Sequence, residues 1–317
     1  MDFFTNQDNA KKQSKLLGLM FFGSVVGVIM AVYSVYYGLF LVGAGEPFFG
    51  DEFIAIGFFV ALAITVVALK DWFFMRAGGA AIAESIGGQL IPTSTSDPEL
   101  RQLLNIVEEI ALAASTPVPN VYIVECDSVN AFAAGHKVED AVIGVTRGAV
   151  KRFNRDQMQG VVAHEYAHIL NGDSAISMKL MALIGGLGFI STAGYYMLYT
   201  RGENQGKRMA FALSLIVIGA IGAFFASLIK MAISRQREYL ADATSVQYTR
   251  NPDGIAGALK VIQEVGSTVE SPKAEQASHM FFSPTHATES MFSSIKGLFS
   301  THPTLESRIE RIEGNKQ

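Results

Sequence analysis

The sequence predicts a mainly α-helical protein with one small β-sheet, a polytopic membrane protein whose soluble part is assembled from two separate stretches of chain. Three observations lead there. The 317-residue chain is 50% hydrophobic and 17% charged, with mean hydropathy +0.28, displaced from the soluble norm toward lipid. That excess is gathered in four segments without a single charge, 16–45, 53–69, 180–200 and 209–229. Finally, two polar strings, His164 to His168 and Glu238 to Asp242, lie on either side of the last two segments.

A helix needs about 20 apolar residues to cross the hydrocarbon core, with about 17 as the lower end, so all four segments qualify. The second is the shortest, and Lys70 and Trp72 at its end suit an interfacial anchor. The first is far longer than the roughly 7–15 residues of a signal-peptide core and a second span follows at once, so it reads as a retained anchor. The last two are rich in glycine and alanine; their length and pairing favour spanning or re-entrant helices over buried core helices. Lys11, Lys12 and Lys15 precede the first segment, Glu46, Asp51 and Glu52 lie in its connector, and Lys70 and Arg76 follow the second. Positive-inside bias then puts the N-terminus and the chain after Arg76 in the cytoplasm. Arg201, Lys207 and Arg208 against one Glu203 run counter to this in the outer connector of the second hairpin, a conflict that a shallow re-entrant hairpin removes. The single cysteine, Cys126, allows no intramolecular disulfide, in keeping with a cytoplasmic face. A net charge of −4 offers no basic field for nucleic acid.

The soluble elements follow in order. Asp97-Pro98-Glu99 opens a helix whose Leu100, Leu103, Leu104, Val107, Ile110 and Ala111 form an apolar stripe, and Thr116 to Asn120 stops it. Strand-like runs follow at 121–125, 131–134 and 141–145, the last two joined as a hairpin through Gly135 and Glu139-Asp140. Asn154 to Gln157 is a capping box that opens the helix of the first polar string. Beyond the second hairpin, a helix from 234 to about 248, a turn at 251–254 and a helix at 255–265 are expected. Residues 269–300 show no periodicity and read as a mobile loop or lid, with His279 and His286 as loop histidines. Pro303 opens a last helix.

The first string, His164-Glu165-Tyr166-Ala167-His168, is the most informative feature. Histidines four apart lie one above the other on a helix face, so both imidazoles reach one cation while the intervening glutamate turns toward its substrate side. Zinc takes neutral imidazole nitrogens, and its catalytic sites use three protein ligands and keep a fourth position for water. Glu165 is the candidate general base. The bland reading is a solvated helix face, but Val161-Val162-Ala163 and Ile169-Leu170 would not bury His, Glu and His without a partner for the charge. Glu238 is the candidate third ligand of one zinc ion per chain. Asp242, one turn on, is placed to receive a histidine's second N–H. An exposed face paired with Arg235 and Arg237 is the alternative. Asp173 is a second candidate for such a buttress, or simply part of an Asn171-Gly172-Asp173 helix stop. His302 could polarise the oxyanion of a tetrahedral intermediate, or sit on the surface. A sheet edge can hold an extended peptide by backbone hydrogen bonds; Asn130 and the strand after it are the chosen edge, with a turn asparagine the equal alternative.

These motifs together resemble the HtpX-like membrane zinc metalloproteases, gluzincins related to the CAAX prenyl endopeptidases. The likeness rests on the zinc helix ending in Asn171-Gly172-Asp173, the 234–243 segment, Asn251-Pro252-Asp253-Gly254, and the closing His302-Pro303 with Arg308. It covers nearly the whole chain, although the N-terminal hairpin is longer and its connector more aromatic than in the enterobacterial form. The resemblance implies a zincin-like domain built from 76–175 and 234–317, with membrane hairpins at 1–75 and 176–233. It implies zinc on His164, His168 and Glu238, Glu165 as base, and Asn130 and His302 holding substrate and transition state. It further implies a multi-pass protein of a prokaryotic plasma membrane that degrades damaged membrane or cytoplasmic proteins, its partners being polypeptide substrates and the lipid bilayer. A prenyl-protein endopeptidase is the rival enzyme, for which four spans are few. A noncatalytic scaffold or channel with structural zinc is the rival class, against which Glu165 weighs because a structural site has no use for a base.

Overall fold

The structure, a computed structural model, describes residues 3–75, 78–135, 137–200, 202, 204–265 and 302–314. Its contacts divide into two compact units. One comprises 1–14, 74–176 and 233–317, the other 15–73 and 177–232. The expected mainly α architecture with a small sheet is what the chain adopts.

In the first unit a four-stranded sheet runs β1 (Gly88–Leu90), β2 (Asn120–Val124), β4 (Val142–Thr146), β3 (Ala131–Ala134) in spatial order. β1 is antiparallel to β2, β2 parallel to β4 in the register Val121 to Ile143, and β3 antiparallel to β4 with Ala131 opposite Val145. The β3–β4 hairpin is thus the expected one. Gly135 makes it possible: its φ of 137° is a conformation L-residues rarely adopt, and a Cβ there would stand 2.6 Å from the Ala141 Cα. Strand periodicity sorts side chains to two buried faces. Val121, Ile123, Ala131, Ile143 and Val145 join the main core, whereas Tyr122, Val124, Phe132, Ala134 and Val142 pack with Ala83 and Ile86 at the end of helix α3 (Gly78–Ser85).

Helix α4 (Pro98–Ala114) starts as the sequence predicts, the Asp97 carboxylate accepting from the Glu99 and Leu100 N–H groups at 3.0 and 3.4 Å. Its stripe Leu100, Leu103, Ile106, Val107, Ile110 and Ala111 is buried in the main core with β2 and β4. After the short α5 (Arg147–Arg152) comes α6 (Arg155–Asn171), opened by the reciprocal Asn154–Gln157 capping box. Helix α9 (Pro252–Val265) and the last helix, α10 (Leu305–Glu313), close the core with Ile255, Leu259, Ile262, Ile309 and Ile312. The expected turn at 251–254 is instead the start of α9. Asn251 accepts from the Asp253 N–H at 3.1 Å and Pro252 takes the first helical position, where its missing N–H costs nothing.

The second unit holds most of α1 (Phe3–Tyr36), continued by a π-turn at Tyr37–Leu41, then α2 (Asp51–Met75), most of α7 (Asp173–Leu198) and the first part of α8 (Gln205–Thr249). Among the described residues three helices are long and apolar enough to cross a membrane, at Gly18–Ala44, Lys179–Leu198 and within Gln205–Thr249. The fourth expected segment, 53–69, is helical within α2, but part of its side chains is not described. Small residues let these helices close up: a Cβ at Gly186 would stand 2.4 Å from Ile64, one at Gly219 2.5 Å from the Ser191 nitrogen, and one at Gly222 2.6 Å from Val28.

Helix α8 corrects a second expectation. The apolar span and the helix of the second polar string are one 45-residue helix, about 67 Å long at 1.5 Å per residue. No glycine or proline between Ile229 and Ser234 interrupts it. The expected loop at 269–300, with His279 and His286, lies outside the described residues.

Candidate active site

The site lies wholly in the first unit, where α6 meets the later part of α8. Along α6, Gly160, His164 and His168 fall four apart on one face; along α8, Glu238, Asp242 and Ser245, four and then three apart, also share one face. The two stripes face each other in opposite directions. Ser245 Oγ donates to the Gly160 carbonyl at 2.7 Å, His164 Nδ1 lies 2.9 Å from Asp242 Oδ1, and His168 Nε2 lies 3.7 Å from Glu238 Oε1. Gly160 also lets α9 in, since a Cβ there would stand 2.5 Å from the Ile255 nitrogen. Val161, Val162 and Ala163 are fully buried beside it, which fixes α6 in the core with its histidines facing α8.

The three expected ligands converge. His164 Nε2 and His168 Nε2 are 3.1 Å apart, and Glu238 Oε2 lies 3.5 Å from His164 Nε2. Two donors about 2.0–2.1 Å from one tetrahedral zinc would be separated by roughly 3.3 Å, so the trio fits such an ion. Charge fits as well. Glu165, Glu238 and Asp242 are 1%, 4% and 3% exposed, and the guanidinium of Arg308 is fully buried among them. Three carboxylates against one guanidinium leave two negative charges, which a divalent cation neutralises. With no metal, His168 holds a proton more tightly: burial lowers its pKa, but the hydrogen bond to Asp173 and the charges of Glu238, Asp173 and Glu165 outweigh it and lift the value to about 9.

Both carboxylates expected as buttresses lie against a histidine of the trio. Helix α6 ends at Gly172, whose φ of 65° is the left-handed cap conformation, and Asp173 Oδ2, on the next residue, lies 2.6 Å from His168 Nδ1. Asp242 faces His164, so neither Glu238 nor Asp242 is part of an exposed face, and Arg237 pairs with Asp173 instead of with them. Glu165 is buried, and among the described residues Oε1 has no hydrogen-bond partner. Its pKa is raised, by burial above all, while His168 and His164 oppose the rise. His302 is buried, not on the surface, with Nδ1 3.1 Å from Glu238 Oε1. Asn130 is buried at the start of the edge strand β3, which packs against α6. Its backbone is pinned by Thr146, whose Oγ1 accepts from the Asn130 N–H at 2.9 Å and whose own N–H donates to the Asn130 carbonyl at 3.0 Å.

The sequence reading gave no role to Arg308, which enters it only through the family likeness. Arg308 grips Asp242 with Nε at 2.9 Å from Oδ2 and Nη2 at 2.7 Å from Oδ1, and places Nη1 3.3 Å from Glu238 Oε2. A signal was present. Leu305, Arg308, Ile309 and Ile312 follow the i, i+3, i+4, i+7 pattern, and an arginine within an apolar stripe is buried and needs carboxylates. For Arg237 the sequence offers only a pairing with the α8 carboxylates, whereas its partner is Asp173.

Comparison with known proteins adds the lineage. Peptidase family M48 matches residues 98–316. A "Protease HtpX homolog" of Streptococcus uberis is 36% identical over 216 residues, 66% of this chain and 71% of the relative. One of Streptococcus pyogenes serotype M28 is 34% identical over 285 residues, covering 87% of this chain and 92% of the relative. The crystal structure of S. mikatae Ste24p is a loose likeness, with TM-score 0.45 and 15% identity over 97% of this chain and 66% of that one. A family match over the region that holds every residue of the cluster, together with relatives of nearly full length and three helices fit for a bilayer, leads to one statement: the chain belongs to peptidase family M48, a membrane protein and an HtpX-like protease with a metal cofactor.

Proposed function

We propose that this chain is a zinc-dependent endopeptidase of a prokaryotic plasma membrane that removes damaged membrane or cytoplasmic proteins. The observation that carries the reading is the convergence of His164, His168 and Glu238 beside a buried Glu165 whose Oε1 has no hydrogen-bond partner among the described residues. In this reading those three residues hold zinc, which supplies Lewis acidity toward water and the peptide carbonyl. Glu165 is the base. A carboxylate held in the low-dielectric interior binds a proton more readily than one in water, which suits a group that takes a proton from attacking water and hands it to the leaving amine. Asp242 and Asp173 orient the two histidines. His302, set against Glu238, is the donor for the developing oxyanion, and Asn130 with β3 offers the edge along which an extended peptide lies.

The domain reading joins this proposal, with 76–175 and 234–317 as the peptidase body and 1–75 and 176–233 as membrane hairpins. By the distribution of basic residues the active site faces the cytoplasm. No observation favours the prenyl-protein endopeptidase, and a peptidase family leaves a noncatalytic scaffold without support.

Glu165→Gln decides the matter. The purified full chain in detergent with zinc is given casein and an unstable membrane protein as substrates, and metal content is measured in parallel. Cleavage is expected to fall by about 10²–10⁴ with zinc retained. Unchanged cleavage removes Glu165 from the chemistry and sinks the mechanism.

A further inference from the structure

We propose that Arg237 and Arg308 are positioning residues, each the far end of a His–Asp–Arg relay that holds one ligand histidine in its metal-binding tautomer. The relays are His168–Asp173–Arg237 and His164–Asp242–Arg308. The inference rests on the zinc reading above. It assigns a role to two residues outside the proposed ligand trio.

Donor and acceptor chemistry requires the tautomer. A guanidinium only donates and an ionised carboxylate only accepts. His164 Nδ1 lies 2.9 Å from Asp242 Oδ1 and 3.4 Å from Arg308 Nη2, so the shorter contact places the ring proton on Nδ1, donated to Asp242. Nε2 is then left with its lone pair facing His168 and Glu238. Were Asp242 to swing away, Arg308 Nη2 would still stand against Nδ1. It could only donate to Nδ1, and the ring proton would move to Nε2, where it blocks a metal. The Asp242 carboxylate therefore has to be fixed, and Arg308 fixes it with two parallel N–H···O bonds, a grip that only a planar fork provides.

The second relay works the same way by different means. Arg237 Nε bonds Asp173 Oδ1, while its Nη2 donates to the Asn171 carbonyl at 2.7 Å, one of the open carbonyls at the end of α6. The guanidinium thus ties Asp173 to the helix that carries His168. Asp173 Oδ2 is left to accept from His168 Nδ1 at 2.6 Å.

The relays differ in burial and reach. Arg308 is fully buried and extends to Glu238, whereas the Arg237 and Asp173 side chains are each 11% exposed and serve one histidine. Loss of an outer partner of a metal ligand lowers metal affinity by about 10–100-fold, so the Arg237 relay belongs near the lower end and the Arg308 relay near the upper.

The test uses the full chain in detergent as wild type, R237Q, R237K, R308Q and R308K. Each is stripped of metal, and its zinc affinity is read by competition with a chromophoric chelator beside the melting temperature of the metal-free protein. The expected result is zinc bound about 10-fold more weakly by R237Q and up to about 100-fold more weakly by R308Q, with each lysine variant in between. Should R308Q not fold, R308K and R237Q decide. A lower melting temperature with wild-type zinc affinity in the folded variants marks the arginines as structural only and overturns the proposal. A wild type that takes up no zinc overturns both the proposal and the reading beneath it, a result distinct from the first.

Discussion

Helices α6 and α7 are separated by one residue, Gly172, yet they hide opposite things. Helix α6 buries polar groups, with His164 fully buried and Glu165 1% exposed. Helix α7 displays apolar ones, with Phe189 53%, Tyr195 52% and Tyr196 67% exposed. A protein in water would do the reverse in both places, because unpaired buried charge and exposed apolar surface each cost free energy. The difference teaches that two surroundings are written into adjacent stretches of one chain. The polar atoms of α6 are buried because partners from α8 and α10 satisfy them, and in the proposed zinc reading a divalent cation would complete the set. The apolar side chains of α7 are exposed because lipid, where apolar surface costs nothing, is their medium.

The largest break in that comparison comes from removing a partner of the buried polar groups. Glu238→Ala takes away the carboxylate that faces both histidines and removes one of the two carboxylates with which Arg308 pairs. Zinc content by elemental analysis is expected to fall to background, and casein cleavage by at least the factor of about 10²–10⁴ that loss of a base alone costs. Stoichiometric zinc in this variant means that some other residue closes the site.

Charge placed on the exposed apolar face sharpens the other half. Val217 is 55% exposed near the middle of the apolar part of α8, and Leu112 is 82% exposed on α4 in the first unit. By accessibility the leucine is the more tolerant to look at, yet surroundings and not exposure set the cost. Val217→Lys is expected to cost about 2.5–3.5 kcal/mol of insertion, read as a loss of carbonate-resistant protein in membranes. Leu112→Lys, facing water, stays within about 0.5 kcal/mol by thermal melting. Equal insertion of the two variants contradicts a lipid-facing α8.

How much of this was legible follows from the range of each interaction. His164, Glu165 and His168 announce themselves because four residues are one helical turn, and Glu238 with Asp242 repeats that spacing. The caps at Asp97 and Asn154 are equally local. Arg308, by contrast, meets its partners 66 and 144 positions away at Asp242 and His164, and no local pattern names them. The strand Gly88–Leu90 went unseen for the same reason: three residues become a strand only through pairing with β2. The unbroken length of α8 was obscured from the other direction. Reading a lipid segment and a ligand motif as separate elements set a boundary where the sequence holds no breaker.

The smallest expected effect tests whether α6 is held by its cap or by its packing. Asn154 accepts from the Gln157 N–H at 2.9 Å, and Gln157 Oε1 returns a bond to the Asn154 N–H at 3.0 Å. Asn154→Ala removes one bond of that pair and should cost about 1 kcal/mol, seen as a lower melting temperature. His164 stands ten positions further along, beyond Gly160 where α9 and Ser245 of α8 grip the helix. Fraying of the first turn should therefore stop at that contact, leaving zinc affinity and cleavage at wild-type values. A parallel fall in zinc affinity would show instead that the register of α6 is set from its N-terminus, and that the close approach at Gly160 does not hold the histidines in place.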